Sequence, residues 1–269
     1  MIDISTIREW SSHGFAQLAG DLRERRASSQ RTCDRLDAIA LGLDGMVSES
    51  VARVRAAYRV SARNMAEEAE VISVAERVVG KLSVRMQAMK DDLAQLERSV
   101  VESGGVLQDD AIVDWGRNPF PYDIHMQRLY LAKQATGLLK QASELDSATG
   151  SVLGRLSRLE LRVTSFDIDP IKKNATIVDL KKLNRAGSMT IELESVVSAE
   201  QDAIDTRIKD KAPLWNGMES ETDFTACCGW LDRRRSDRVA MMDGLIGTVI
   251  VTQKVFSAME ARNVERLVG

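Results

Sequence analysis

From position 47 to position 100, apolar residues recur at steps of three, four or seven: Val47, Val51, Val54, Tyr58, Met65, Ile72, Ala75, Val79, Leu82, Met86, Met89, Leu93, Leu96 and Val100. Glu and Arg fill the intervening positions. That rhythm is the signature of a helix packed along one seam, and it predicts a single helix roughly 80 Å long at about 1.5 Å per residue. A helix of this length does not wrap into a small sphere, so an elongated molecule is expected. The pattern leaves open whether the partner of the seam is this chain or another.

A weaker stripe precedes it: Ile7, Phe15, Leu18, Leu22, Cys33, Leu36, Ala40 and Leu43, with Trp10 at its flank. Between the two stripes lies Gly42-Leu43-Asp44-Gly45, where Gly45 can take the positive φ of a tight reversal without a Cβ penalty. Residues 3–101 therefore read as one antiparallel helical hairpin. Residues 103–123, containing Gly104-Gly105 and Asn118-Pro119-Phe120-Pro121-Tyr122, read as a loop, because proline and the residue before it resist helix. Trp115, Phe120 and Tyr122 are expected to fold back onto the hairpin.

A third helical stripe follows: Leu131, Ala135, Leu138, Ala142, Leu145, Val152, Leu156, Leu159 and Val163, with Gly137, Gly150 and Gly154 permitting close helix approach. Residues 164–170 form a short linker, and Asp169-Pro170 suits a helix start. The next helix carries Ile177, Leu180, Met189, Leu193, Val197, Ile204 and Ile208 and stops at Pro213-Leu214-Trp215-Asn216-Gly217. A last helix carries Phe224, Leu231, Val239, Met242, Ile246, Val249, Phe256, Met259 and Leu267. The fold expected is all-α: long antiparallel helical hairpins packed as an elongated helical bundle. In chain order it divides at residue 163, into a hairpin plus third helix (1–163) and a second hairpin (164–269). The two hairpins match in size and in the place of their glycine turns, which reads as a duplicated architecture.

Composition narrows the picture. The four prolines fall at positions 119, 121, 170 and 213, and aromatic residues make up 4% of the chain. Turn-rich all-β folds need more of both. The net charge of −3 gives no electrostatic case for nucleic acid or an anionic membrane as the main partner. The basic runs Arg233–Arg235, Lys172–Lys173 and Lys181–Lys182 sit among acidic neighbours and read as solvated helix faces. No membrane span is expected, and the first residues lack the basic start and apolar core of a secretory signal. Cys33, Cys227 and Cys228 make no disulfide framework; an odd count with one adjacent pair points to a reducing compartment at synthesis.

The residues offer little for catalysis. His13 and His125 have no Cys, Asp or Glu at metal-ligand spacing, and Gly104-Gly105 precedes no Lys-Ser/Thr of a phosphate loop. Asp109-Asp110 lies in a loop, and Asp167/Asp169 in the linker before a helix start. No enzyme activity, cofactor or metal is expected.

Trp215-Asn216-Gly217, set between two helices in a unit of about a hundred residues, resembles the turn of the Trp-x-Gly (WXG) family of helical-hairpin substrates of type VII secretion, found in actinobacteria and Firmicutes. Leu43 and Gly45 occupy the same place in the first hairpin, with Leu for Trp. The segment 138–156 is similar to the extra helix that follows such hairpins in larger actinobacterial substrates. In that family a Tyr-x-x-x-Asp/Glu export signal follows the second helix; here Phe256 and Glu260 match it, with Phe replacing Tyr. The resemblance implies synthesis in the cytoplasm, export by type VII secretion, and protein partners: the secretion machinery, a WXG-family protein or a toxin. The residues alone also fit a cytosolic adaptor or chaperone-like partner of a secreted toxin, with Trp215 a helix-end core aromatic and Phe256 a core residue beside a surface carboxylate.

Overall fold

The computed structural model describes residues 2–116, 122–160 and 178–268. The protein is an all-α helical bundle. Among the described residues it has six α-helices: α1 (Ile4–Glu9), α2 (Ser12–Gly42), α3 (Glu49–Glu102), α4 (Tyr122–Leu156), α5 (Leu180–Lys209) and α6 (Glu221–Val268), with a short pair of strands, β1 (Val106–Leu107) and β2 (Val113–Asp114), between α3 and α4. The packing forms two compact units. One comprises Met1–Leu22, Val74–Leu159 and Arg207–Gly229; the other comprises Arg23–Ser73, Glu160–Thr206 and Trp230–Gly269. Each unit thus draws on both sides of residue 163, whereas the sequence suggested a division in chain order. The reason is length: α2, α3, α5 and α6 each supply residues to both cores.

In the first unit, α1 is capped by Asp3, whose carboxylate accepts from the Thr6 backbone N–H at 2.7 Å, the Thr6 hydroxyl at 2.6 Å and the Ser5 hydroxyl at 2.8 Å. These bonds, the Thr6 hydroxyl first, lower the Asp3 pKa to about 2. The helix then breaks at Trp10, which is buried and extended (φ −53°, ψ 133°), and restarts at Ser12. The sequence predicted no interruption here. The break is braced from α3, where Lys90 Nζ donates to the Trp10 carbonyl and Ser83 Oγ donates to the Ser12 carbonyl, both at 2.8 Å.

Helix α3 ends in a Schellman motif. Gly104, at φ +74°, donates to the Val101 carbonyl and Gly105 to the Val100 carbonyl, each at 2.9 Å. The segment expected to be loop then forms the antiparallel β1–β2 pair, with Val106 opposite Asp114 and Leu107 opposite Val113. Trp115, expected to fold back onto the hairpin, packs on its own segment and on α4: the Arg128 guanidinium lies 4.6 Å from its ring centroid, and its ring atoms would stand 2.4 Å from a Cβ on Gly105. Phe120 and the Tyr122 side chain lie outside the described residues.

Helix α4 meets the start of α6 through small residues. A Cβ on Gly150 would lie 2.7 Å, and one on Gly154 2.4 Å, from the Asp223 carboxylate. A fully buried α4 carboxylate, Asp146, accepts from the Glu219 and Ser220 backbone N–H groups and from the Ser220 hydroxyl. It therefore satisfies N–H groups at the α6 N-terminus from another helix. Nothing approaches within 4 Å at Gly137.

The second unit is a four-helix core. Leu36 and Leu43 from α2 and its turn, Val54, Tyr58 and Met65 from α3, Leu183 and Leu193 from α5, and Met242, Leu245 and Val249 from α6 pack in one cluster. Residues of both hairpins therefore share a core. Gly45, at φ +83°, makes the α2–α3 reversal, and Arg55 holds Asp44 of the turn at 2.7 Å. Asp179 accepts from the Lys181 and Lys182 N–H groups at the head of α5; the start expected at Asp169-Pro170 lies outside the described residues. By length and composition α6 holds a stretch apolar enough to cross a membrane (mean hydropathy 1.4, 39% buried), a property it shares with core helices.

The Gly105 contact yields a direct test. Gly105→Ala forces the Trp115 ring away and should lower stability by about 1–3 kcal/mol, as overpacking does. Thermal unfolding followed by circular dichroism reads this, and a Tm equal to wild type would refute the ring's role.

Candidate functional site

The Trp-x-Gly turn lies in the first unit and has a definite backbone form. After α5 a 3-10 helix, Ala212–Trp215, begins with Pro213 near its start. Asn216 follows at φ −56°, ψ 130°, then Gly217 at φ +79°, and the Met218 N–H closes onto the Trp215 carbonyl at 3.0 Å. This is a type II turn with Trp215 at its first position, and the third position requires the positive φ that glycine supplies. The spacing of the tripeptide is thus the spacing of the turn.

Trp215 is fully buried. Its ring stacks on Phe224 at 4.7 Å and meets the edge of Phe15 at 4.8 Å. The indole N–H has no acceptor among the described residues, so packing alone holds the ring. A Cβ on Gly14 would lie 2.6 Å from Leu214 Cδ2, so the bare backbone beside Phe15 lets the turn close on α2.

The remaining sequence candidates do not assemble with Trp215. Leu43 is buried in the core of the second unit, next to Gly45. Phe256 lies in that same core at 5% exposure, while Glu260, one turn later on α6, is exposed. The ring and the carboxylate therefore do not present a joint accessible face. His13 shares a hydrogen bond with Gln17 at 2.9 Å on an exposed surface, and His125 is exposed. Asp109 pairs with Arg8 and Asp110 bonds the Ile112 N–H in the β-turn, while Asp167 and Asp169 lie outside the described residues. Burial, with Cys228 adjacent, pushes the Cys227 thiol up to about 12. Among the described residues no three His, Cys, Asp or Glu are grouped to hold a metal ion.

A different constellation occupies the second unit: charged groups from all four helices meet in its interior. Arg25 (α2), fully buried, binds Glu68 (α3) through Nη2 at 2.8 Å and Asp205 (α5) through Nε at 2.8 Å, and donates from Nη1 to Ser29 Oγ at 2.6 Å. Ser29 Oγ in turn donates to Glu68 at 2.9 Å. From α6, Arg234 Nε approaches Glu68 to 3.4 Å while its Nη1 holds Asp237 at 2.9 Å. Arg238 lies 3.9 Å from Asp202 and, among the described residues, makes no hydrogen bond from its three guanidinium nitrogens. Arg234 corrects the reading of Arg233–Arg235 as a solvated face: it is 4% exposed, whereas Arg233 and Arg235 are exposed.

The electrostatics follow from burial and charge. Burial opposes ionisation of Glu68, but Arg25, Arg234, Arg238 and the Ser29 hydroxyl outweigh it and lower its pKa. Burial also opposes the charge on Arg25, yet Glu68 and Asp205 prevail and raise its pKa. For Asp205 burial prevails over Arg25 and Arg238, and the pKa rises. Burial and the like charge of Arg25 push Arg238 down to about 10 against the pull of Glu68, Asp205 and Asp202. Chemically, this layer clamps helices through compensated charge.

The layer left a trace in the sequence. The apolar stripes skip at Leu22–Cys33, Met65–Ile72, Val197–Ile204 and Leu231–Val239. Arg25 and Ser29, Glu68, and Arg234 and Arg238 fall in the gaps on α2, α3 and α6; the gap on α5 holds the buried Gln201, which donates to the Ser28 hydroxyl, and Asp205 follows one turn later. Comparison with family models, with curated proteins and with solved structures returns no match for this chain.

Two tests separate the partners. Glu68→Gln leaves Arg25 and Arg234 facing an uncharged group and should cost about 3–5 kcal/mol in urea unfolding, while Arg238→Met, removing the cation without hydrogen bonds, should cost less than about 1 kcal/mol or stabilise. Equal losses would refute this assignment. The Glu68 contribution also has a pH signature. Because its folded pKa lies below the ordinary 4.5, the stability it confers is complete above that value and is lost as pH falls through the folded value. The gap between wild type and Glu68→Gln should therefore be constant near neutrality and close in acid; a gap that widens in acid would contradict it.

Proposed function

We propose that this chain is a type VII secretion substrate, or a secretion-associated helical protein, that acts through helix–helix contacts with protein partners. The reading rests on one observation: a Trp-x-Gly type II turn, with its Trp packed between Phe15 and Phe224, joins a helix of 30 residues to one of 48. On this reading the protein is made in the cytoplasm, is exported with the machinery or a WXG-family or toxin partner, and uses Glu260 as the accessible part of its signal.

A second reading, a cytosolic adaptor or chaperone-like partner of a secreted toxin, is favoured by the burial of Phe256. An aromatic ring in the core is not available to export machinery without local opening of α6.

Detection of the tagged protein in culture filtrate and lysate, with and without the type VII ATPase, tests the choice. Appearance in the filtrate only with the ATPase, and its reduction by Glu260→Ala at unchanged helicity, is the expected result. Retention in the lysate while another substrate is exported would select the adaptor.

A further inference from the structure

Helix α4 carries a second seam besides the buried one. Its inner face, Leu131, Ala135, Leu138 and Ala142, belongs to the core of the first unit. Rotated from it, Gln127, Tyr130, Gln134, Gly137 and Gln141 follow one another at steps of three, four, three and four, the spacing of a coiled-coil interface. All five line an open groove of about 620 Å³ between α3 and α4, within the first unit. Tyr130 is 62% exposed, and nothing lies within 4 Å of where a Gly137 Cβ would stand. Met126 and Leu129, each 53% exposed, extend the apolar surface beside the tyrosine.

We propose that this seam binds a second copy of the chain, with the two α4 helices antiparallel about a twofold axis near Gln134. The seam is its own complement. Tyr130 is a knob and Gly137 a hole, on opposite sides of Gln134, so the twofold brings the ring of each copy to within one residue of the partner's Gly137. The same operation sets Gln134 against its counterpart and Gln127 against the partner's Gln141. Each amide both donates and accepts, so identical faces satisfy one another without the repulsion that identical charged faces suffer. Among the groove's side chains Asp92, on the α3 wall, is the one charged group, and Gln95 beside it continues the amide chemistry. Each α4 lies in the α3–α4 groove of the other copy.

Sedimentation velocity on the full chain over a range of concentrations tests this, with two variants at exposed α4 positions. A reversible dimer is expected. Tyr130→Ser should weaken it about tenfold or more, since a tyrosine at the centre of an interface carries much of the binding. Gly137→Trp, filling the hole, should abolish it while circular dichroism stays unchanged. Geometry is checked by oxidative cross-linking in a Cys228→Ser background. Tyr130→Cys combined with Gly137→Cys should link two copies, and either substitution alone should not. A wild-type chain that stays monomeric, a dimer indifferent to Gly137→Trp, cross-links in the single variants, or a different protein seated on this seam of a monomeric chain would each overturn the proposal.

Discussion

A carboxylate sealed from water must find positive charge inside the protein, and Glu68 finds it on two other helices. Arg25 reaches it from α2 and Arg234 from α6, while Ser29 supplies a hydroxyl. Apolar seams by themselves tolerate sliding, because one leucine or valine fits another's place with small loss. The ionic layer removes that freedom in the second unit. If α3 slipped by one heptad, Ser61 or Ala75 would face the guanidiniums, and Glu68 would sit against apolar side chains at a cost of several kcal/mol. Register is therefore set by charge compensation at one level, and the apolar clusters supply the bulk of the burial.

The turns work by a complementary principle. Where the layer fixes how helices align, glycine fixes where they reverse. Gly45 and Gly217 both hold positive φ, and the tryptophan next to the second is locked by two phenylalanines rather than by a hydrogen bond. The head of α6 depends on α4: Asp146 bonds its N–H groups, and Gly150 and Gly154 leave room for Asp223. A local cap is thereby replaced by a tertiary one.

Much of the fold was legible because long helices repeat their signal. Apart from Val47, which precedes α3 and is exposed, every residue of the 47–100 stripe is buried. Short or unpunctuated features were not legible. Strands β1 and β2, of two residues each, are too short for a period of two to be recognised. The break after α1 contains no glycine or proline and is held by Lys90 and Ser83, distant in sequence. The expected division at residue 163 assumed that chain order and packing coincide, which helices long enough to serve two cores do not respect. Of the candidate site, the Trp-x-Gly turn was legible, whereas the charged layer shows only as gaps in the apolar stripes, which do not tell a buried charge from a solvated one. A basic run among acidic neighbours looks solvated whether or not its middle member turns inward, and Arg234 does.

The enclosure of Trp215 changes what its tripeptide can signify. A fully buried ring offers no epitope on the folded chain, and whatever meets the indole directly does so before the first unit has closed or after it has opened. What the folded chain presents at this turn is the reversal made by the exposed Asn216 and Gly217, with the indole sealed beneath it.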